Sequence, residues 1–501
     1  MVMFSNLGAA LSTHVPAEQA AIIDLGSAEP RSYSYAELDA LISAYARGFV
    51  RRGIGPGERI AIVAANSAHF IAIAFGALRA GITVVPVNYK LPPSLVAFIL
   101  EDSDARLVFC DGPREPLVPA SYERLRMDGR GEGTALAQFR DPGPFTAVEP
   151  GPQDVAMIIY TSGSSGVPKG VIFSHRGHLW ALDHRTSANS PVGQRTIVAA
   201  PLYHQNGLAS SQATLGSGGT VILLPSFEVE TFVRAIAAYG VEMITAVPTM
   251  IAMLARRTDL LEELDFSKVK LVRVSSAPAT PELMADIRRI FTNAKVVNGF
   301  GTTEAGPIFF GPHPGGLPQP DMSVGYAHPA VELRLVEDGK VRPDKGVLQI
   351  RSRAVMMGYL NKPELSAKSM TDDGFYITGD IFERDADGFF FFVSRADDMF
   401  VCGGENVFPG DVEAMLMQLP AVAEVCVVPV PDAIKGQKPV AFVVPKRGES
   451  VSEDEVKAFA LANGPAYQHP RRVFIVPELP LASTNKVDRR ALTERALALT
   501  S

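Results

Sequence analysis

Cysteine is scarce in this chain of 501 residues: Cys110, Cys402 and Cys426 stand alone, with no CxxC pair among them. That argues against a disulfide framework and against a zinc site, and it suits a reducing compartment. A basic excess is missing too. The formal charge is −7, so no basic face advertises nucleic acid. Long uninterrupted apolar runs are also lacking. Residues 61–80 (AIVAANSAHFIAIAFGALRA) are broken by Asn66, Ser67, His69 and Arg79, and they read as a buried strand and helix rather than a membrane span. The first residues, MVMFSNLGAALSTHVPAEQ, carry neither a basic n-region nor a long apolar core; no signal peptide is expected, and a cytoplasmic location follows as the expectation. No internal repeat is visible. With 47% apolar and 20% charged residues, the chain has ample core for more than one globular domain.

Alternating patterns fill the first part of the chain. The spacing of apolar residues predicts a helix over 35–52, a strand over 59–64, a helix over 68–79 and a strand over 83–87, with Gly53 and the Gly55-Pro56-Gly57 turn between the first two. Residues 113–152, rich in Gly, Pro and Asp, read as a loose connection. Alternation resumes over 196–277, with strands at 197–200, 220–224, 243–247 and 271–275 and a helix at 230–239. Such alternation predicts an α/β architecture of doubly wound sheets. From Gly325 onward short β runs (332–336, 347–350, 388–393) suggest a small barrel or distorted sheet. A compact α+β pattern closes the chain: helix 409–418, strands 423–430 and 440–444, helix 453–462, strand 472–476. The expected division is a large domain over 1–394 and a small mobile one over 395–501.

One loop concentrates the chemistry. An apolar strand over 155–160 stops at a run of small residues, and a second strand over 171–173 follows, so residues 160–171 (YTSGSSGVPKGV) are strand, loop, strand. Gly163 and Gly166 let backbone N–H groups turn toward an anion, Thr161, Ser162, Ser164 and Ser165 add hydroxyl donors, and Lys169 adds a positive charge. A P-loop is excluded, because Pro168 stands where Gly-Lys-Ser/Thr would be needed and a strand follows. A dinucleotide fingerprint is excluded because no helix opens on the loop.

The full string closely resembles the phosphate loop of the adenylate-forming enzymes, the group of acyl-CoA synthetases, luciferases and peptide-synthetase adenylation domains. Other segments resemble that family's motifs in the same order along nearly the whole chain. Pro201 to Gly207 (PLYHQNG) resembles an aromatic-His segment lining the acyl pocket, which brings in Tyr203, His204 and Asn206. A lone histidine at a strand end is ordinarily structural; the resemblance places His204 in both the catalytic set and the pocket, though not as a general base. Ser275, Ser276, Ala277 and Pro278 form a small-residue strand exit like the family's adenine loop. Asn298, Gly299, Phe300, Gly301, Thr302, Thr303 and Glu304 resemble its Gly-Tyr-Gly-x-Thr-Glu, which implies that Thr303 contacts phosphate and Glu304 holds Mg²⁺. Phe300 replaces the usual Tyr, so that hydroxyl's role is lost.

Further along, Thr378-Gly379-Asp380 resembles the ribose-binding Thr-Gly-Asp, with Asp380 as acceptor of both ribose hydroxyls. Ser394 to Asp398 resembles the Gly-Arg-x-x-Asp hinge with Ser for Gly, making Arg395 a ribose or phosphate ligand and Asp397 the pivot. Gly403 and Gly404 fall in a segment like the loop that lines the pantetheine tunnel. Lys486 stands where the family has its catalytic lysine, although Asn485 replaces a common Gly.

The resemblance implies an ATP-dependent carboxylic acid–CoA ligase that uses ATP, Mg²⁺ and coenzyme A and forms an acyl adenylate on the way. Its partners are a small-molecule acid, ATP and coenzyme A; neither nucleic acid nor a membrane span is expected, and a homodimer is left open. The expected acid pocket gathers Tyr203, His204, Asn206, Val247, Pro248, Ser275, Gly299, Gly301 and Ile308. It contains no arginine to pair a second carboxylate, which weighs against malonate-like diacids. A general likeness to bacterial feruloyl-CoA synthetases favours an aromatic acid, a hydroxycinnamate such as ferulate. The alternatives are a medium- or long-chain fatty acyl-CoA synthetase and a stand-alone adenylation protein that loads a carrier protein. A non-catalytic sensor is disfavoured because Lys169, Glu304, Asp380, Arg395 and Lys486 are all present.

Overall fold

The computed structural model describes residues 4–500 apart from 28, 129, 130, 132, 162–166, 188–192, 276–278, 403, 404, 433 and 483–485, and apart from the side chains of 187 and 406. The chain divides into two compact units. The first comprises Met1–Met322, Ala327–Glu332 and Ile350–Tyr376; the second comprises Ser323–Tyr326, Leu333–Gln349 and Ile377–Ser501.

Two sheets organise the first unit. One runs in the order Lys295–Asn298, Leu271–Val274, Met243–Ala246, Arg195–Val198, Thr220–Leu223, Ala20–Asp24 and Arg31–Ser34. Every pairing in it is parallel except the last. The other runs Gly358–Tyr359, Lys169–Ser174, Val155–Thr161, Thr83–Pro86, Arg59–Val63, Leu107–Cys110 and Arg124–Arg126. Its interior pairings are parallel, and its end carries the antiparallel hairpin of Val155–Thr161 with Lys169–Ser174. This is the doubly wound α/β architecture expected from the alternation.

Local chemistry sets the helices between them. Tyr35–Arg51 opens on a capping box, in which the Glu37 backbone N–H donates to Ser34 Oγ at 3.2 Å and the Ser34 N–H donates to Glu37 Oε2 at 2.8 Å. It buries Leu38, Ile42, Tyr45, Ala46 and Phe49, a stripe of helical period. Ala68–Arg79, capped by Ser67, is buried nearly all round. Its terminal Arg79 is buried as well, yet it donates to Asp39 and Ser43 at 2.8 Å and to the Gly8 carbonyl at 3.0 Å, as an enclosed cation must. Among the described residues no helix is long and apolar enough to cross a membrane.

The connection over 113–152 is more ordered than its composition suggests. It holds a 3₁₀ turn at Gly112–Leu117, a strand at Arg124–Arg126 and a helix at Ala135–Phe139. The reason is a few apolar anchors, Val118, Leu125, Met127, Leu136 and Phe139, buried among polar neighbours; the Phe139 ring meets Phe49 and Phe109 edge-on at 5.1 and 5.4 Å.

In the second unit, Ser323–Ala327, Phe389–Arg395, Tyr376–Arg384, Lys345–Arg351, Glu332–Glu337 and Lys340–Arg342 lie side by side in that order. The C-terminal part is built on the long hairpin of Val422–Asp432 with Gly436–Pro445. The period of two divides its side chains: Val427, Ala441 and Val443 pack toward Val412, Leu416, Val456 and Ala460, while Cys426, Val428, Val440 and Phe442 pack toward Leu492 and Ala496. Both faces are thus covered by helix, Pro409–Leu416 and Glu453–Asn463 on one, Arg489–Thr500 on the other. The three cysteines are free and buried; burial pushes the Cys110 thiol up to about 11 and that of Cys426 up to about 12, which keeps both protonated and inert.

Candidate active site

The hairpin that carries the phosphate-loop string is pinned at both ends. Thr161 faces Lys169 across the antiparallel pair, and Tyr160 faces Gly170. A side chain at Gly170 would come within 2.9 Å of Ile158 Cγ2 and 3.0 Å of the Tyr160 ring, so the glycine lets the strands close behind the loop. Ser162, Gly163, Ser164, Ser165 and Gly166 lie outside the described residues. At the rim, Thr161 Oγ1 is buried without a hydrogen-bond partner among the described residues. A buried hydroxyl of that kind is costly unless something outside the chain completes it.

Lys169 leads to a residue that the sequence reading missed. Its Nζ lies 4.7 Å from the centre of the Tyr359 ring, within cation–π range. Tyr359 sits on the short strand Gly358–Tyr359, which pairs with Lys169–Ser174 and places Tyr359 opposite Val171. Its hydroxyl donates to Glu304 Oε1 at 3.1 Å. Burial first, and the Glu304 charge second, raise the Tyr359 pKa, so the phenol remains a donor. The Glu304 carbonyl accepts the Met356 N–H at 2.7 Å. Lys169 and Glu304, 135 positions apart in the chain, are therefore brought together through one tyrosine.

The segment before Glu304 is shaped for close approach. Gly299 and Gly301 have no left-handed backbone, and a methyl group at Gly301 would find nothing nearer than 3.9 Å. Nothing in the fold requires glycine at 301, which suits a ligand lying against the backbone. Gly306 is the opposite case: its φ is +80° and a Cβ would stand 2.8 Å from Ala354 Cβ. Asn298 donates through Nδ2 to the Met322 carbonyl at 3.0 Å; Phe300 packs edge-on against Phe309 and Phe310 at 5.3 and 6.2 Å; Thr302 Oγ1 accepts the Ala305 N–H at 3.2 Å. Thr303 and Glu304 are half-buried.

Of the expected acid pocket, Tyr203 is buried with its hydroxyl unpartnered among the described residues and packs against His204 at 4.7 Å. His204 is half-buried at the N-cap of the helix Gln205–Gly216. Asn206 accepts from Ser210 Oγ at 3.3 Å, Ile308 is buried, and Val247 caps the helix that begins at Pro248. Ser275 continues the Leu271–Val274 strand, its N–H donating to the Ala246 carbonyl at 3.1 Å. Ser276, Ala277 and Pro278 lie outside the described residues. The pocket was expected to lack arginine. The Arg273 stem nevertheless lies beside it: a Cβ on Gly299 would sit 3.5 Å from Ser275 Cβ and 3.6 Å from both Arg273 Cγ and Cδ.

The second unit holds its own charged group. Asp380 and Arg395 face each other across antiparallel strands. Arg395 Nη1 donates to Asp380 Oδ1 at 3.2 Å and Nη2 to Asp397 Oδ2 at 2.9 Å. Burial alone would lower the Arg395 pKa, but Asp380 and Asp397 more than offset it and the net direction is up. Asp380 itself is buried, its N–H donating to Thr378 Oγ1 at 3.0 Å. Gly379, at φ +72°, makes the turn in the strand that leaves its carbonyl to accept the Ala396 N–H at 2.7 Å. Lys486 is exposed, and its carbonyl closes a small loop by accepting the Ala482 N–H at 2.7 Å. Gly403 and Gly404 lie outside the described residues.

Among the described residues no three His, Cys, Asp or Glu side chains gather to hold a metal by themselves. Glu304 offers a single carboxylate with one oxygen engaged by Tyr359. That fits Mg²⁺, which takes one or two protein carboxylates and completes its shell with water and substrate phosphates.

Comparison with known proteins adds to this geometry. The AMP-binding enzyme family model matches residues 11–360, and that of the AMP-binding enzyme C-terminal domain matches 411–486. A sulfoacetate–CoA ligase from Cupriavidus necator is 31% identical over 465 residues, covering 90% of each chain. A feruloyl-CoA synthase from Amycolatopsis sp is 30% identical over 460 residues, 91% of this chain and 92% of that one. The solved structure of ATP-bound MatB from Rhodopseudomonas palustris superposes with a TM-score of 0.88 at 28% identity, covering the whole of both chains.

Proposed function

This chain belongs to the AMP-binding enzyme family and is an AMP-forming acid–CoA ligase, and from that premise we propose that it works in two steps at the residues described above. In the first, the carboxylate of the acid attacks the α-phosphate of ATP, giving an acyl adenylate and pyrophosphate. In the second, the thiol of coenzyme A attacks the activated carbonyl, the carbon–oxygen bond to AMP breaks, and the thiol proton is released.

The arrangement that carries this reading is Lys169, Tyr359 and Glu304. A cation held over the ring and a carboxylate held at the hydroxyl of one tyrosine suit a polyphosphate that travels with a divalent metal. Both reactants of the first step are anions, so its barrier is largely charge repulsion. Lys169 would neutralise phosphate charge, Thr161 Oγ1 would donate to a phosphate oxygen, and Thr303 would add a second hydroxyl. Glu304 would hold Mg²⁺, which when bound offsets charge building on the departing pyrophosphate. Asp380 would accept the ribose hydroxyls, with Arg395 fixing its carboxylate. Lys486 would bridge the acid and the α-phosphate.

In the second step Lys486 would obstruct the incoming thiol. We therefore assign residues 395–501 to a domain that turns about Asp397, exchanging the Lys486 loop for the segment at Gly403 and Gly404. Lys486→Ala tests the assignment. Adenylate formation should fall by at least about 10²-fold, the scale of removing a transition-state donor, while supplied acyl adenylate is still converted to thioester. Equal loss in both half-reactions would refute the exchange.

For the acid, the aromatic reading (ferulate or a related hydroxycinnamate) draws on the 30% identity to a feruloyl-CoA synthase. The 31% identity to a sulfoacetate–CoA ligase supports an anionic tail equally well. Overall identity does not choose between them, and the wall of the pocket weighs for the second.

A further inference from the structure

The parallel sheet that ends at Ser275 and Gly299 has two unlike faces. On one, Ile244, Ala246, Val272 and Val274 join an apolar core with Phe232, Ile251 and Ile287. The alternation of side chains along a strand sends Thr245, Arg273 and Val297 to the other face, where the register sets them side by side. One pleat further come Ser275 and Gly299, the ladder being continued by the Gly299 N–H, which donates to the Val274 carbonyl at 2.7 Å. The Arg273 stem reaches along this face to within van der Waals distance of a Cβ at Gly299.

Arg273 makes no hydrogen bond or ion pair with a described residue, although protein surrounds most of its side chain and burial lowers its pKa. The charge that bears on its surroundings has the same sign: Arg185, on the helix His175–Ser187, is held down to about 10 by burial and then by the Arg273 charge. Beside Arg273, Thr245 is 7% exposed and its Oγ1 is buried without a partner among the described residues. A half-buried guanidinium with a like charge near it and an unsatisfied buried hydroxyl beside it is an arrangement that a bound anion would complete. Guanidinium groups also match carboxylate and sulfonate oxygens better than any other side chain does.

We propose that Arg273, supported by Thr245 and the positive field of Arg185, binds a second anionic group on the acid substrate. The substrate is then a short dianion: a carboxylate that is adenylated at one end and a carboxylate or sulfonate at the other. The spacer is short because the Arg273 stem already reaches the Ser275–Gly299 floor, its Cγ and Cδ standing 3.6 Å from where a Cβ on Gly299 would be. This rests on the acid–CoA ligase reading, since it names what that reaction's acid carries.

The test is acid-dependent pyrophosphate release by the full chain with ATP, Mg²⁺ and coenzyme A, using acids matched in length: malonate and sulfoacetate against propionate, succinate against butyrate, with ferulate and octanoate alongside. At least one dianion should exceed its matched monoanion by about 100-fold in kcat/KM, a modest part of the discrimination that a buried polar site achieves. Malonate against sulfoacetate separates the two anions. Arg273→Met should raise KM for that dianion by at least about 30-fold and leave KM for ATP unchanged, and Arg273→Lys should recover part of the loss. A best substrate with an uncharged tail, indifferent to Arg273→Met, would overturn the inference and leave the ligase standing. A rise in KM for ATP instead would assign Arg273 to the nucleotide and overturn it too. Should the Met variant fail to fold, the comparison of matched acids with the unaltered enzyme decides alone. No pyrophosphate release with any acid would overturn both readings.

Discussion

Removing the Tyr359 hydroxyl without its ring separates the two contacts that join Lys169 to Glu304. In Tyr359→Phe, Glu304 loses a donor at 3.1 Å while the ring beneath Lys169 at 4.7 Å stays. A hydrogen bond to a charged acceptor contributes about 1.5–3 kcal/mol; Glu304 is only half-buried, so the low end applies, about tenfold in the apparent affinity for Mg²⁺·ATP. Tyr359→Leu also removes the cation–π contact, about 1 kcal/mol more, a further factor of about five. Calorimetric titration with ATP at several Mg²⁺ concentrations reads the first effect as a shifted metal dependence, which a merely structural role would not produce. Thermal denaturation of both variants controls for the buried position of Tyr359. The reasoning is refuted if the Phe variant keeps the metal dependence of the unaltered protein, or if the Phe and Leu variants bind alike.

Three further outcomes are expected. His175 and His178 are buried and held down to about 4, chiefly by that burial; between pH 6.5 and 4 the unfolded chain takes up protons that the folded chain refuses, so stability is whole above 6.5 and falls with pH by about 1.4 kcal/mol per unit for each histidine. Denaturation midpoints that stay flat over that window would contradict it. Gly301→Ala should leave the melting temperature unchanged and raise KM for ATP by about tenfold or more, whereas Gly306→Ala should unfold the protein at lower temperature, because its φ of +80° and the 2.8 Å approach to Ala354 leave no room for a Cβ. Between the helices Arg489–Thr500 and Pro409–Leu416, Arg489 Nη2 donates to the half-buried Glu413 at 2.7 Å; Arg489→Met should cost about 2–4 kcal/mol in urea denaturation, and Glu413→Leu combined with it should recover part of that.

Sequence patterns located most elements because their ends are written locally. Ser67 and Arg79 bound the helix Ala68–Arg79 where the alternation places it, and four strands of the first sheet, Arg195–Val198, Thr220–Leu223, Met243–Ala246 and Leu271–Val274, run within two residues of the apolar runs that announce them, whereas Ala20–Asp24, Arg31–Ser34 and Lys295–Asn298 were not read from the sequence. Residues 113–152 were misread because composition hides sparse anchors: Val118, Leu125, Met127, Leu136 and Phe139 order a segment otherwise full of Gly, Pro and Asp. The motif residues were legible as a series, Thr161 through Lys486, yet two neighbours of the site were not. Tyr359 lies on a two-residue strand whose partners, Val171 by pairing and Glu304 by hydrogen bond, stand 188 and 55 positions away. Arg273 shows in LVRV as one exception in an apolar strand. Only the register against Thr245 and the stem's approach to Gly299 reveal which face it lines.

The most direct measurement of the central claim is the product balance of one turnover with ATP, Mg²⁺, coenzyme A and the best acid. The account predicts one AMP, one pyrophosphate and one thioester for each acid consumed, with an acyl adenylate accumulating when coenzyme A is withheld. ADP and inorganic phosphate as products would contradict it.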